Sequence, residues 1–524
     1  MTGNFRCLDA ILDRTDPAQP KEPEWPKADF IVGNPPFLGD KFMRRELGDD
    51  YVDKLRALYA GRIPGQSDLC CYWFEKARAH IAAGHCQRAG LLATQGIRGG
   101  ANREVLKRIK ETGDIFWAVS DREWILGGAN VHVSMVGFDG GEEEDRLLDG
   151  ESLSTINANL TAQSDGVSAR RLPANGDLSF IGVSMHGPFP VEEDTALEML
   201  RAPNPHGHPN SDVVRPWVNG LSITKRETPL WTIDFSPGTS VEDAALYEAP
   251  FEQVRSTVKP VRDANRRAAY AQRWWLHAEP RPGMRANLSG LARYIGTARV
   301  AKHRLFVWFG SAILPTDQVV VFARSDDYFF GVLHSRLHEV WALKLGTRLE
   351  TRPRYTPTTC FETFPFPFGS AGILPASEEA AGTAALRQEI AAAAREMNGL
   401  REKWLNPSEW TREEVLEFPG TVGGPWDRYL DPGTVSDRGA FKIGTVKYPR
   451  LVPRDGDSAE KLAKRTLTNL YNQRPTWLAD AHRRLDEAVF AAYGWPTDLT
   501  DEQILERLLK LNLQRATAET GGRQ

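Results

Sequence analysis

The run GNPPFLGD, residues 33–40, follows the apolar stretch Ala28-Asp29-Phe30-Ile31-Val32. Two successive prolines fix φ at two residues and remove two amide donors, leaving a rigid backbone rich in acceptors. Asn34 adds a side-chain carbonyl beside the main-chain carbonyl of Pro35. Two convergent acceptors suit one exocyclic amine, which has two N–H bonds to donate. Phe37 offers a face on which the flat ring bearing that amine can stack. A plain tight turn uses the same residues, but Asn-Pro-Pro-aromatic arises by chance in only about one chain of this length in a hundred. Its place directly after a strand adds to the signal, because ligands of open α/β sheets bind outside the carboxyl ends of the strands.

The elements that must hold this corner read as alternating α/β units over residues 28–140. DFIVG is a strand ended by Gly33 and the prolines. Residues 41–60 and 68–83 have helical spacing, the second with Leu69, Tyr72, Trp73, Phe74, Ala77 and Ile81 on one broad apolar face. AGLLAT (89–94) is a strand, NREVLKRIKETG (102–113) a helix closed by a glycine, and DIFWAVS and VHVSMVGF are further strands. This rhythm predicts a largely parallel sheet with helices on both faces. The GGAN runs at 99 and 127 read as loop glycines.

At 524 residues the chain exceeds one ordinary core. With 41% hydrophobic and 26% charged residues it has the composition of a soluble globular protein. No secretory signal or membrane-length apolar run is present, and the five cysteines form no CxxC pair, so a cytoplasmic setting with reduced thiols is expected. Composition shifts place domains at 1–200, 201–370 and 371–524. The middle one is aromatic and proline-punctuated, with strands WTIDF, RLFVWF and QVVVFA. The last turns helical, its third helix opening on a Thr500…Gln503 capping box.

Charge is unevenly spread. Residues 251–310 hold twelve Lys or Arg against three acids, a net of +9, so the other 464 residues carry −13. A basic segment inside an acidic whole points at a polyanion, with a solvated basic face as the alternative. His334 and His338 have i, i+4 spacing but no nearby cysteine, which argues against zinc. His206 and His208 sit in a loop, and Trp274 and Trp275 read as core.

VGNPPF after a strand resembles the N-P-P-[FYW] motif of the amino-group DNA methyltransferases. Longer blocks narrow the family. NPPFLGDKFMRRELGDDYVDKLRALYAGRIPGQSDLCCYWFEKA, LLATQGIRGGANREVLKRI, GVLHSRLHEVWALKLGTRLETRPRYTPTTCFETFPFP and LDEAVFAAYGW with LLKLNLQRA all resemble adenine-specific enzymes of the type IIG/IIL (MmeI-like) restriction-modification group. The likeness covers nearly the whole chain. It implies a Rossmann-like class I methyltransferase sheet, N-terminally truncated, then a mixed α+β target-recognition domain and a helical C-terminal region. It also implies S-adenosyl-L-methionine as cofactor, double-stranded DNA as partner, and methyl transfer to N6 of a flipped adenine. Asn34, Pro35, Pro36 and Phe37 would grip the base, and Asp9, Asn34 and Asp68 would face the cofactor. The basic segment would meet DNA through Arg262, Arg266, Arg267, Arg273, Arg281, Arg285, Arg293, Arg299, Lys302 and Arg304.

The family places a glycine-rich cofactor loop upstream of the NPPF strand. The 33 residues before Asn34 contain none, and no PD…ExK nuclease pattern is found. The resemblance therefore implies a C-terminal portion whose cofactor half lies upstream or on a separate polypeptide. The rival expectation is a non-catalytic DNA-recognition subunit or truncated relic.

Overall fold

A computed structural model describes residues 7–16, 19–126, 129–161, 169–226, 230–349, 352–368 and 381–521. The chain divides into two compact units, Met1–Asp165 and Gly166–Gln524.

The first unit is built on β1 (Phe30–Gly33), α1 (Asp40–Leu47), α2 (Asp49–Leu58), α3 (Cys70–Ala82), β2 (Arg88–Thr94), α4 (Arg103–Thr112), β3 (Asp114–Leu126), β4 (Ala129–Asp139), β5 (Arg146–Leu148) and β6 (Glu151–Leu153). The expected single helix over 41–60 is two, because Gly48 between them adopts φ 85°, a left-handed conformation glycine takes without Cβ strain. Strand order is β1-β2-β4-β3-β5-β6. Only β1–β2 and β3–β5 pair in parallel, while β2–β4, β3–β4 and β5–β6 are antiparallel. The sheet is therefore mixed rather than largely parallel. Consecutive β3 and β4 have no crossover helix between them, so they meet as antiparallel neighbours.

β2 alternates toward the core through Ala89, Leu91 and Ala93, which pack with Tyr72 and Phe74 of α3, Leu106 and Ile109 of α4, and Ile115 and Phe138. β1 forms the edge. Its Ile31 packs against that core, whereas Phe30 and Val32 are 63% and 85% exposed.

In the second unit the strands Phe306–Gly310, Arg293–Ala298, Val319–Phe322 and Ser179–Ile181 form one antiparallel sheet, and Leu314–Pro315, Val214–Val218, Trp231–Ile233 and Pro190–Val191 form a mixed one, in which Leu314–Pro315 runs parallel to Val214–Val218. The three strands expected from WTIDF, RLFVWF and QVVVFA are all among these. No seam in the packing separates the described residues on either side of the expected 370/371 boundary. Ile390, Ala394 and Met397 of the helix Ala381–Leu405, Leu485 and Val489 of Thr476–Tyr493, and Ile504 and Leu508 of Asp501–Gly521 share one core with Ile295, Phe306 and Phe322. Nor does the region before residue 200 close with the first unit, since Ser179–Ile181 pairs with Val319–Phe322. The C-terminal third also holds a sheet of Thr411–Thr421, Phe441–Pro453 and Ser436–Arg438. The Thr500–Gln503 capping box is formed: the Thr500 amide donates to Gln503 Oε1 at 2.9 Å and the Gln503 amide to Thr500 Oγ1 at 3.3 Å.

Candidate functional site

The corner after β1 is held at its downstream end. The Leu69 amide donates to the carbonyl of Leu38 at 2.9 Å, and the Asp40 amide, first of α1, donates to Asp68 Oδ1 at 2.9 Å. Within the loop, the Leu38 amide reaches the carbonyl of Pro36 at 3.1 Å. Asn34 is exposed, Pro35 is buried, Pro36 is exposed and Phe37 half-buried. The prolines thus seat one ring in the protein and leave the asparagine amide facing solvent, free to accept. Gly33 has a steric reason to be glycine, since a Cβ there would stand 3.2 Å from Leu91 Cδ2 of β2.

Asp68 does not cap α3, the helix it precedes. Instead its Oδ2 accepts from Asn102 Nδ2 at 2.7 Å, and its own amide donates to Asn102 Oδ1 at 2.7 Å. Asn102 ends a GGAN run whose sequence reads as loop glycines. Nothing in its local sequence signals this role, because the partner lies 34 residues away. Asp9 turns its Oδ1 to the amides of Ile11 and Leu12 (3.0 and 3.1 Å) and its Oδ2 to the Tyr51 hydroxyl (2.8 Å). Burial, then the Asp9 hydrogen bond and charge, raise the Tyr51 pKa well above that of a free phenol, so the hydroxyl remains a donor.

The basic segment is largely drawn into the fold, and its side chains differ in how far they are exposed. Arg262 is 1% exposed. It donates to the carbonyls of Met185 and Leu276 (2.7 and 3.2 Å) and lies over the Tyr270 ring at 4.7 Å. Arg304 is likewise buried, bonded to the carbonyls of Ala298 and Pro353. Both guanidiniums are engaged by main-chain carbonyls. Arg285 is paired bidentately with buried Asp234, both contacts at 2.8 Å. Burial alone would raise the Asp234 pKa, but Arg285, His277 and Arg215 hold it down at about 2. Arg293 pairs with Asp327 at 2.8 Å and lies 3.7 Å from the Trp308 ring centre, Arg281 pairs with Glu279, and Lys302 bonds Asn472. Arg299 is half-buried and bonds the carbonyl of Asp317 at 3.3 Å. Burial and then the charge of Arg354 lower its pKa. That leaves Arg266, Arg267 and Arg273, exposed together beside the short helix Ala268–Gln272, with Arg267 donating to the Tyr270 hydroxyl at 3.1 Å.

The two histidines of HSRLH are buried and bonded to the protein, His338 between the carbonyl of Leu333 and the Tyr355 hydroxyl, His334 beside Arg401. Burial pushes the His338 pKa down to about 3, which keeps its ring neutral.

Residues 7–149, which contain this corner, match the family model described as the MmeI DNA-methyltransferase domain, and residues 238–368 match that of the MmeI target recognition domain. The chain carries MmeI-type methyltransferase and target-recognition domains. Among solved structures, the type IIL restriction-modification enzyme MmeI in complex with DNA is similar over 93% of this chain, with a TM-score of 0.65 and 18% identity. This chain spans 57% of that one. The type IIG restriction endonuclease BpuSI aligns over 89% of this chain and 54% of its own at 10% identity, with a TM-score of 0.24, too low to bear on the fold. No curated protein matches significantly. In the MmeI-type methyltransferase domain of this chain, NPPF lies at the carboxyl end of β1. In the target-recognition domain the arginines divide into buried, paired and exposed sets.

Proposed function

We propose that this protein is a site-specific DNA methyltransferase of a restriction-modification or phage-defence system, which transfers a methyl group from S-adenosyl-L-methionine to N6 of a flipped adenine. The observation that carries the reading is the exposed Asn34 amide beside buried Pro35, at the carboxyl end of β1, within the segment matched by the methyltransferase model. The Asn34 side-chain carbonyl and the Pro35 main-chain carbonyl accept the two N–H bonds of the adenine amine, and the half-buried Phe37 ring stacks on the base. Holding the amine by acceptors alone directs its lone pair away from the protein and needs no general base, so alignment and exclusion of water supply the catalysis. Extraction from the duplex is required because the amine is otherwise paired and stacked.

S-adenosyl-L-methionine supplies an electrophilic sulfonium methyl when bound. Asp9 fits its adenine amine: the carboxylate is exposed and, with three bonds accepted, keeps room for about one more donor. The rest of the cofactor pocket calls for a further segment, upstream or on another polypeptide. The edge position of β1, paired with β2 on one side and with Phe30 and Val32 exposed, supports this, since the outer side of an apolar edge strand is a template for strand addition. Target reading falls to residues 238–368, where Arg266, Arg267 and Arg273 are the side chains best placed to contact phosphates.

Asn34→Ala tests the reading in the full-length protein, with any separate cofactor-bearing polypeptide supplied. Incorporation of labelled methyl groups into DNA should fall about 100-fold or more, as for loss of a group acting on the reacting centre, with DNA affinity near that of the wild type. Unchanged incorporation would sink the assignment. The rival reading, a recognition subunit that transfers nothing, draws on the same bare β1 edge. It predicts DNA binding with no incorporation under any pairing.

A further inference from the structure

Asp68 and Asn102 make a reciprocal pair behind the NPPF loop. Asp68 receives the Asn102 amide at Oδ2 (2.7 Å), returns its backbone N–H to Asn102 Oδ1 (2.7 Å), and with Oδ1 takes the first N–H of α1 (2.9 Å). That N–H is one of the four a helix leaves without an internal partner. Here it finds its acceptor 28 residues along the chain rather than in a neighbouring cap. The N-cap position itself is Gly39, which has no side chain to offer, and a Cβ there would lie 3.6 Å from Asp68 Oδ1.

The pair is itself closely confined. A Cβ on Gly96 would stand 3.3, 3.5 and 3.8 Å from Thr94 Oγ1, Asn102 Nδ2 and Asp68 Oδ2. Ser67 Oγ donates to the carbonyl of Ala101 at 3.2 Å, which ties the same two segments together one residue earlier. On the far side, Asp40 takes a hydrogen bond from Arg56 of α2. Asp68 thus joins three segments: the end of the NPPF loop, the start of α3, and the turn before α4. Beyond Asp68, the Leu69–Leu38 backbone bond links the downstream half of the loop to the start of α3.

We infer that Asp68 and Asn102 are positioning residues for methyl transfer, a brace that sets where the NPPF loop presents Asn34 and Pro35, and that Asp68 acts through this brace rather than by touching the cofactor. The inference rests on the methyltransferase reading given above. A site of this kind works only if its acceptors are fixed to within a fraction of an ångström, and a displacement of about 1 Å can cost about 100-fold in rate.

The hydrogen-bond pattern supplies its own test. In Asp68→Asn, one amide cannot serve both neighbours. Whichever way it turns, an N–H faces either the Asn102 amide or the Asp40 N–H. In Asn102→Asp, two carboxylates oppose each other. In the double variant Asp68→Asn/Asn102→Asp the bonds among residues 40, 68 and 102 are whole again: residue 68 accepts from the Asp40 amide with its oxygen and donates its N–H to the new carboxylate, which still accepts from the residue 68 amide, while the longer bond from the residue 102 side chain to the Gly96 carbonyl (3.4 Å in the wild type) is not replaced.

Two readouts are taken on the full-length protein, with any separate cofactor-bearing polypeptide supplied. The first is the kcat and KM of methyl transfer to DNA, and the second is amide hydrogen exchange at Leu38–Asp40. Each single variant should lower kcat about 10- to 100-fold with KM for DNA changed far less, and exchange at Asp40 should quicken about 10-fold. The double variant should return both to within a few-fold of the wild type. Failure of the double variant to recover kcat while exchange at Asp40 is restored would overturn the inference, because Asp68 would then act through its own charge. Unchanged kcat in Asp68→Asn would overturn it equally. Absence of transfer by the wild type, or normal transfer by Asn34→Ala, would instead overturn the methyltransferase reading. The exchange data would still decide whether the brace holds the loop.

Discussion

Asn34 stands exposed on a short loop whose downstream end is pinned to α3 and, through Asp68, to the turn before α4. Arg262 and Arg304, in the most basic stretch of the chain, lie buried under aromatic rings and backbone carbonyls. The two regions differ in what controls the side chain. At NPPF the constraint is covalent and local: two pyrrolidine rings fix the backbone wherever the loop is placed, so its shortage of donors follows from the residues themselves. A guanidinium sits at the end of a long flexible stem, and its fate depends on which carboxylate or carbonyl the fold brings near. A motif made of backbone restraint survives folding as chemistry, whereas a run of charge is redistributed by it.

That contrast is open to test, and the largest effect belongs to the local motif. Phe37→Ala should remove the stacking face and lower kcat/KM for DNA methylation about 10- to 100-fold, in line with about 1–3 kcal/mol per stacked base. The melting profile should change little. If activity holds, the stacking role is wrong.

Arg262→Met should behave in the opposite way. It keeps much of the stem but abandons two buried carbonyls, so the second unit should lose about 2–4 kcal/mol of stability. The salt dependence of DNA binding should be unaltered. A changed salt slope with unchanged stability would return Arg262 to the surface set.

A half-buried carboxyl of the second unit sharpens the point. Asp486, on the helix Thr476–Tyr493, accepts the Arg336 amide at 2.7 Å. Burial lifts its pKa to about 6, with that hydrogen bond opposing and Glu339 adding to the rise. Since the folded pKa lies above the unfolded one, the folded state binds the proton more tightly. The contribution of Asp486 to stability should therefore rise as pH falls from above 6 toward about 4, and the cost of its charged form is fully felt above pH 6. Asp486→Asn keeps the acceptor and removes the charge. Its unfolding midpoint should increase at pH 7.5 by the equivalent of about 1–3 kcal/mol, and the slope between pH 4 and 6 should flatten. An Asn variant that is less stable at pH 7.5 would refute the sign.

The smallest effect concerns the arginines that remain outside. Arg266→Gln and Arg267→Gln should each reduce the slope of log affinity against log salt by about one. Affinity should fall a few-fold at moderate ionic strength, with stability unchanged. A null result for both would move the DNA surface elsewhere in residues 238–368.

The legible part of the fold was what depends on neighbours in sequence. The strand before NPPF, helix α4 and the capping box at Thr500 all follow from short-range pattern, and each appears where the pattern puts it. Pairing direction was not legible. β3 and β4 read as two strands of an alternating series, yet they pair with each other antiparallel, a choice set by the connection rather than by composition. The shared core of the C-terminal helices with Phe306 and Phe322 was hidden for a related reason: apolar periodicity shows which face is buried but not what buries it. Asn102 was missed because its partner is distant in sequence.

By itself the sequence determined the rigid, donor-poor corner at residues 34–37, the strand that precedes it and the surplus of positive charge in residues 251–310, because each is a property of covalent geometry or of counting. Only the tertiary structure decided that Asp68 braces that corner through Asn102, that Arg262 and Arg304 are interior while Arg266 and Arg273 are not, and that β1 forms an open edge. Hydrogen-bond partners, burial and strand neighbours are relations between residues far apart in the chain, and folding alone brings those residues together.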